Sequence, residues 1–356
     1  MPTGSLRVAI SISSVTAEAM HFATEADRLG VHSVWVPEAW GYDAFTPLAF
    51  LAARTSRLHL GTGIAQLGAR TPAMLAMSAM SMEALSGGRF LLGLGVSGPQ
   101  VMEGWHGVRW SSPVQTTRET IEIVRTVARG DRLDHPGRIY PLPLPGRGGR
   151  ALRSMAPPVA VPIYLAALGP KNLELTGELA DGWIANAFIP ETADVFVDHL
   201  AAGAQRAGRA VADLDLLVPV GVEVTDDVDE ASRRHAGGYA FTIGAMGSAT
   251  TNFYNAAFTR QGFGDDVAAV AALWLDGRRD EAAARVPADL GFKTNLIGPP
   301  EVITERLRLY RAAGVTTLQA KLGSVNQGAL DTLGQLMDLV EAVNAETAPP
   351  AGQNPV

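Results

Sequence analysis

Apolar residues fall along this chain in short runs, and helical periodicities fill the spaces between them. Leu6 to Ile12 (LRVAISI) predicts a first strand. Thr16 is placed to cap the helix that follows, since Ala19, Met20, Ala23, Ala26 and Leu29 recur at helical spacing and Gly30 stops it. Val31 to Val36 predicts a second strand ended by Pro37-Glu38, and a helix covers about Phe45 to Ala53. Arg57 to Ile64 predicts a third strand. Pro72 opens a helix to about Leu85, closed by Gly87-Gly88. Phe90 to Val96 is uncharged and reads as a fourth strand buried on both faces, with Gly93 and Gly95 where a backbone or ligand comes close. Ser97-Gly98-Pro99-Gln100 then turns sharply, and Pro113 starts a helix to Ala128.

Gly130 to Pro158 is rich in proline and glycine and predicts a long surface loop. Alternation then resumes: a strand over Val159 to Ala167, a helix over Pro170 to Leu179, a strand over Asp181 to Asn186, a helix over Glu191 to Ala207 and a strand over Leu214 to Val224. Residues 227–295 are too many for one crossover and read as mostly helical. Pro299 opens a helix to Ala312 with Gly314 as its stop. Val315 to Leu322 is an eighth strand, and a last helix runs from about Gly328 to Val343. The Pro-rich tail, residues 347–356, predicts disorder. Strand and crossover helix alternating in this number specify an α/β chain, a closed (β/α)8 TIM barrel. An open doubly wound sheet would alternate too, but the candidate strands are all short and apolar with no charged edge strand. The expected organisation is one barrel domain over 1–346, with insertions at about 130–158 and 227–295.

Composition narrows the chemistry. Of 356 residues, 47% are hydrophobic and 18% charged, and the net charge of −7 shows no block of like charge, which disfavours nucleic acid. No apolar run reaches the roughly 20 residues of a membrane span. No signal peptide is visible, and the chain has no cysteine, which excludes disulfides, thiolate metal sites and a cysteine nucleophile. A cytoplasmic protein acting on a small molecule is expected.

In a barrel, function gathers where strands end. The ends read Ser11 to Ser14, Glu38-Ala39-Trp40, Gly63 to Gln66, Ser97 to Gln100, Ala166 to Gly169, and Asn186-Ala187. Glu38 is the one carboxylate among them. That disfavours paired-carboxylate glycoside hydrolysis, and the missing histidine pattern disfavours a metal barrel. A strand opening through Ser97 and Gly98 into a helix N-terminus directs free N–H groups one way, which suits a phosphate, although any βα connection shares the spacing. A small, neutral, glycine-rich rim suits a large flat cofactor that carries the reaction itself.

Several segments together resemble the bacterial luciferase-like superfamily, in its branch of coenzyme F420-dependent oxidoreductases. They are VWVPEAW (34–40), LHLGTGI (58–64), ALSGGRFLLGLGVSGPQVMEGWHG (84–107), the Gly130 to Tyr140 loop, VPIYLAALGP (161–170) with LADGW (179–183), and GPPEVITERLRLYRAAGV (298–315). The resemblance implies a deazaflavin across the C-terminal end of the barrel and a non-prolyl cis peptide at Gly63-Ile64. It implies cofactor contacts from Glu38, Gly63, Ile64, Ala65, Ser97, Gly98, Pro99, Gln100, Ala166, Ala167, Leu168 and Gly169, with the phosphate near the loops after strands four and five. Glu38 is the candidate catalytic side chain, and Ser13, Trp40 and His106 are candidates on the substrate side. Lys171 is placed either to meet an anionic tail or to stand as a solvated surface lysine. The segment 241–263 is read as a substrate lid, with core packing as its other reading.

The F420-dependent sugar-phosphate and alcohol dehydrogenases of that family carry a histidine where this chain has Ala39 and a glutamate where it has Gly98. Both proton-handling groups are absent. Hydride transfer from reduced F420 to a C=C, C=N or C=O acceptor is therefore expected rather than sugar-phosphate oxidation. The alternatives are an FMN-dependent monooxygenase served by O2 and a partner flavin reductase, or a barrel without catalysis. A homodimer or larger homo-oligomer is expected from the same resemblance.

Overall fold

Eight parallel strands close on themselves: β1 Arg7–Ser11, β2 Ser33–Val36, β3 His59–Thr62, β4 Phe90–Gly95, β5 Ile163–Ala166, β6 Gly182–Ile184, β7 Asp215–Val224 and β8 Thr317–Lys321. Each pairs with its neighbours in chain order. The ring is completed by Ala9 opposite Gln319, Leu217 opposite Thr317, and Asp215 opposite Gly182. The chain is thus the (β/α)8 barrel that the alternation predicts. The computed structural model describes residues 4–146, 148–246 and 252–346; the tail for which disorder is expected lies outside the described residues.

The crossover helices are α1 Ala17–Leu29, α2 Phe45–Ala52, α3 Pro72–Ser86, α4 Pro113–Ala128, α5 Pro170–Leu179, α6 Asp194–Arg206, α7 Pro300–Ala312 and α8 Gln327–Ala345. Their ends follow local chemistry. The Thr16 hydroxyl accepts from the Ala19 amide, and Gly30 ends α1 at φ 91°. Thr71 caps α3 in the same way, and Gly87 ends it at φ 67°.

Two apolar layers follow from the two-residue period of a strand. Outward positions such as Val8, Ile10, Leu60, Leu92, Leu165, Val218 and Leu318 pack under the helices. Inward positions Ala9, Trp35, Leu91, Tyr164, Ile184 and Leu217 fill the barrel, with Ile64 and Ala166 against them. The N-terminal floor is polar. Asp215 accepts from Tyr164 Oη at 2.8 Å, from Thr317 at 3.0 Å and from Thr316, and pairs with Arg7 at 2.7 Å.

The structure corrects the sequence reading in three places. The Gly130 to Pro158 segment holds a small antiparallel pair, His135–Pro136 with Pro141–Leu142. It is pinned because the buried carboxylate of Glu119 accepts the backbone amides of Arg138, Ile139 and Tyr140. A short strand, Leu296–Gly298, pairs with the outer half of β7 beside the helical 227–295 insertion. Two further residues, Ala65–Gln66, pair with the end of β4. The strands are otherwise shorter than their apolar runs, because the run ends turn into the loops that build the mouth.

Candidate functional site

The mouth is the ring of residues that follows the C-terminal ends of the strands. Its floor is apolar: Ile64 and Ala166 stand on Trp35, Leu91, Tyr164 and Ile184. The Gly63-Ile64 peptide is cis, as expected. Glycines let the bulge approach β4 closely. A Cβ on Gly93 would lie 1.9 Å from the Thr62 carbonyl oxygen, and one on Gly95 would lie 2.8 Å from Ile64 Cγ1. The Thr62 hydroxyl donates to Gly93 O at 2.7 Å and accepts from Gly93 N at 2.9 Å.

Two non-glycine residues at strand ends adopt the left-handed region, Ser97 (φ 55°) after β4 and Ala187 (φ 55°) after β6. Such residues are uncommon and concentrate at functional sites. Ser97 leads through Gly98 into the short helix Pro99–Met102. Leu168-Gly169 leads likewise into α5, whose N-cap Gly169 offers no side chain to the first-turn amides. Both strand ends thus run into helix N-termini without side-chain caps, the kind of end at which anionic groups bind. Lys171 is exposed beside the second of them.

Glu38 sits in a closed network. Its side chain is 7% exposed and pairs with Arg70, and Oε1 and Oε2 also accept the amides of Ala44 and Gln66 at 3.3 and 3.2 Å. The Gln66 side-chain amide donates to Glu38 O at 2.7 Å and Ala39 O at 3.0 Å, and its Oε1 meets His106 Nε2 at 2.8 Å. Arg70 also lies over the Phe45 ring, 4.6 Å from its centre. Glu38 and His106, far apart in sequence, are thus brought together through Gln66. Ser13 and Trp40 stand apart from this network. Ser13 is exposed at the rim, and Trp40 is 58% exposed rather than packed under a loop.

The insertion after β7 reaches across the mouth. Arg260 Nη2 donates to Leu168 O at 2.6 Å. Gln261 donates to Ala187 O at 2.5 Å and accepts from the Ile189 amide at 2.9 Å. Tyr254 bonds Asn186, and burial pushes its phenol up from the usual value. The helix Phe253–Phe258 and the turn after it therefore wall the ends of β5 and β6. Residues 247–251 of the segment read as a lid lie outside the described residues.

Arg70, Tyr254, Arg260, Gln261 and Lys321 line or brace the mouth without having been singled out from sequence. Tyr254, Arg260 and Gln261 fall within the 241–263 segment read as a lid, and Lys321 is the last of the alternating polar positions Thr317, Gln319 and Lys321 in the eighth strand. A groove of about 760 Å3 lies elsewhere, on the flank between α1 and α2 among Met20, Thr24, Pro47 and Phe50. It touches no strand end. The mouth, with its left-handed backbone at Ser97 and Ala187 and two helix N-termini, is the better candidate.

The sequence model of the luciferase-like monooxygenase family matches residues 5–317, most of the chain. The chain belongs to this family. One luciferase-like relative, a Mycobacterium tuberculosis protein provisionally named a coenzyme F420-dependent oxidoreductase, is 40% identical over 311 residues, covering 85% of this chain and 90% of its own length. The 5,10-methylenetetrahydromethanopterin reductase of Archaeoglobus fulgidus is 27% identical and covers 85% of this chain and 89% of its own. Among solved luciferase-like folds, the coenzyme F420-dependent tetrahydromethanopterin reductase of Methanopyrus kandleri superposes with a TM-score of 0.76 at 21% identity, covering 93% of this chain and 98% of its own. An F420-dependent secondary alcohol dehydrogenase superposes at 0.72 and 18% identity, covering 94% and 99%. The likeness to these two structures is one of fold.

Proposed function

We propose that the chain is an F420-dependent oxidoreductase that reduces a small organic acceptor, a C=C, C=N or C=O group, at the barrel mouth. The relative of 40% identity across most of both chains supports the cofactor assignment. The structural observation that carries the reading is the mouth itself. An apolar floor headed by Ile64 and Ala166 is open to a flat ring, and the ends at Gly98 and Gly169 leave backbone amides without side-chain caps.

Bound F420 supplies or accepts a hydride. Residues 63–65 would back its ring, and Ser97 to Gln100 with Ala166 to Gly169 would hold its anionic tail. Glu38 holds the loops under the ring through Arg70 and Gln66, a positioning role. His106 extends the same brace. Trp40 and Ser13 would meet the acceptor at the rim.

Fluorescence titration with F420 and, separately, with FMN tests this reading. F420 binding in the micromolar range with weak FMN binding is expected. Tight FMN with weak F420 would replace the reading by a monooxygenase that needs O2 and a flavin reductase. Binding of neither below about 100 µM, about −5.5 kcal/mol, would leave a barrel without a flavin-type cofactor.

The assembly we infer is a homo-oligomer. On α3, Met74, Met77 and Leu85 form one exposed apolar stripe with Ser81, and Phe50 of α2 is also exposed. Sedimentation of the protein and of Met77→Glu checks it: a dimer or larger that the charge dissociates is expected, and a native monomer overturns it.

A further inference from the structure

A cation without a partner closes the inner face of β8. The Thr317 hydroxyl donates to Asp215 at 3.0 Å, and Asp215 also accepts from Tyr164, whose ring lies inside the barrel. Thr317 therefore faces inward, and the two-residue period carries Gln319 and then Lys321 up the same face to the mouth. Lys321 lies opposite Gly221 of β7, and the Ile10–Ala320 pair places Ser11 of β1 at its other side. Both neighbours are small, and His235 and Asn295 pack over Gly221.

The other lysines differ. Lys293 pairs with Asp289 at 2.8 Å, and Lys171 lies in the first turn of α5 rather than on a barrel strand. The Lys321 ammonium has no hydrogen-bond or ion-pair partner among the described residues. It is open to the mouth, yet the surrounding wall desolvates it and draws its pKa below the usual lysine value, with no charged neighbour contributing. The nearby acids are already matched, Glu223 with Arg234 and His235, and Glu38 with Arg70. A lysine whose ammonium is desolvated on one side holds its proton less tightly than one in water and is suited to giving it up. Ala39 and Gly98, at the strand ends across the mouth, have no side-chain proton to give.

We propose that Lys321 binds and protonates the oxygen on which negative charge gathers as hydride reaches the acceptor, so that the substrate is a carbonyl compound or a C=C bond conjugated to a carbonyl. This rests on the hydride-transfer reading above. The hydride brings two electrons and forms a C–H bond. The acceptor π bond breaks, and its pair moves to oxygen. An N–H bond of Lys321 then breaks as the O–H bond forms, and the neutral amine regains a proton from water. The acceptor is reduced and F420 oxidised by two electrons. With a conjugated acceptor, the enol so formed returns to the ketone through solvent. A cationic iminium acceptor would instead meet a like charge, and needs no proton once hydride has arrived.

The test uses para-nitrophenol, whose anion mimics the developing oxyanion and whose absorption separates phenolate from phenol. The protein is methylated reductively with carbon-13 so that Lys171, Lys293 and Lys321 give separate signals. Binding as the phenolate, with the Lys321 signal moving on saturation, is expected. Lys321→Met should weaken phenolate binding by about tenfold or more while F420 affinity stays within about twofold. Lys321→Arg, which keeps the charge, should bind phenolate nearly as well as the native protein. The proposal is overturned if the phenolate does not bind, if the Lys321 signal stays fixed, or if Lys321→Met binds it undiminished. The signal shift is read on the native chain, so a variant that fails to fold does not decide the matter. Failure of the native protein to bind F420 would sink the cofactor reading instead, and is measured in a separate titration.

Discussion

Arg70 closes on Glu38 through two parallel hydrogen bonds, Nη2 to Oε1 at 2.7 Å and Nη1 to Oε2 at 2.8 Å. The pair fastens the loop after β2 to the loop after β3, which carries the cis Gly63-Ile64 bond. Removing one partner leaves the other charge largely buried without compensation. Arg70→Ala should therefore cost about 3 kcal/mol in urea unfolding, and Glu38→Gln less, about 1–2 kcal/mol. Both should weaken F420 by about tenfold if the pair supports the ring site. A Glu38→Gln protein that binds F420 normally but has lost all turnover would show Glu38 to be a proton carrier instead.

The close approach of β3 and β4 makes a second expectation. Gly93→Ala would drive a methyl into the Thr62 carbonyl, which is backbone and cannot move aside cheaply. We expect little soluble protein. Gly95→Ala clashes with the Ile64 side chain and touches Ala166 Cβ at ordinary contact distance, so that variant should fold, lose about 1–2 kcal/mol, and bind F420 at least about tenfold more weakly. Normal affinity in Gly95→Ala would show that the ring does not rest against Ile64.

At the opposite end of the barrel, burial first and the charge of Arg7 second lower the His32 pKa to about 4, with the His59 ring 4.6 Å away. A depressed folded pKa means that protonation opposes folding. The stability is fully present above the ordinary histidine value of 6.5 and is lost as pH falls from there toward 4. Between pH 7 and pH 5 the loss from this residue should be about 1–2 kcal/mol, reduced from the unscreened figure because the ring is partly solvated. Urea titrations at the two pH values should show it, and His32→Gln should remove that part of the difference.

Glu119 holds the 130–158 segment by one carboxylate that accepts three consecutive amides, Arg138, Ile139 and Tyr140. These bonds, with one from Gln115, keep the carboxylate below its usual pKa despite the desolvation that pushes the other way. Glu119→Ala should raise hydrogen exchange across 135–142 by about tenfold or more and leave the barrel strands protected. Equal exchange throughout the chain would mean that the loop is held by something else.

The barrel was legible because each strand and helix obeys its own local rule. Thr16, Gly30, Pro72 and Pro113 mark helix ends by chemistry that needs no tertiary partner. Along β4 an uncharged run with Gly93 and Gly95 marks a strand where something comes close. Of the candidate site, the cis Gly63-Ile64 bond was expected from the family resemblance and the turn at Ser97 to Pro99 from its Gly-Pro step. The site's side-chain pairings were not legible. Glu38 finds Arg70 across 32 positions and His106 finds Gln66 across 40, separations that no periodicity encodes. Gln261 meets Ala187 only because the insertion folds back over β6. Lys321 could have been read from the alternation in β8, but alternation does not say that no acid would come to meet it.

β7 is the longest strand of the barrel, and it serves two neighbours in succession. Its first part pairs with β6, and Val222 to Val224 pair with Leu296–Gly298, where Thr225 N also donates to Gly298 O at 3.2 Å. The chain thus leaves the barrel and returns to it through one doorway, and the helices between hang from a closed hinge pin. Closing such an excursion costs only about 0.6 kcal/mol more each time its length doubles. The walls over β5 and β6 are thus carried by a segment that enters and leaves beside β7, while the eight strands beneath set their own register.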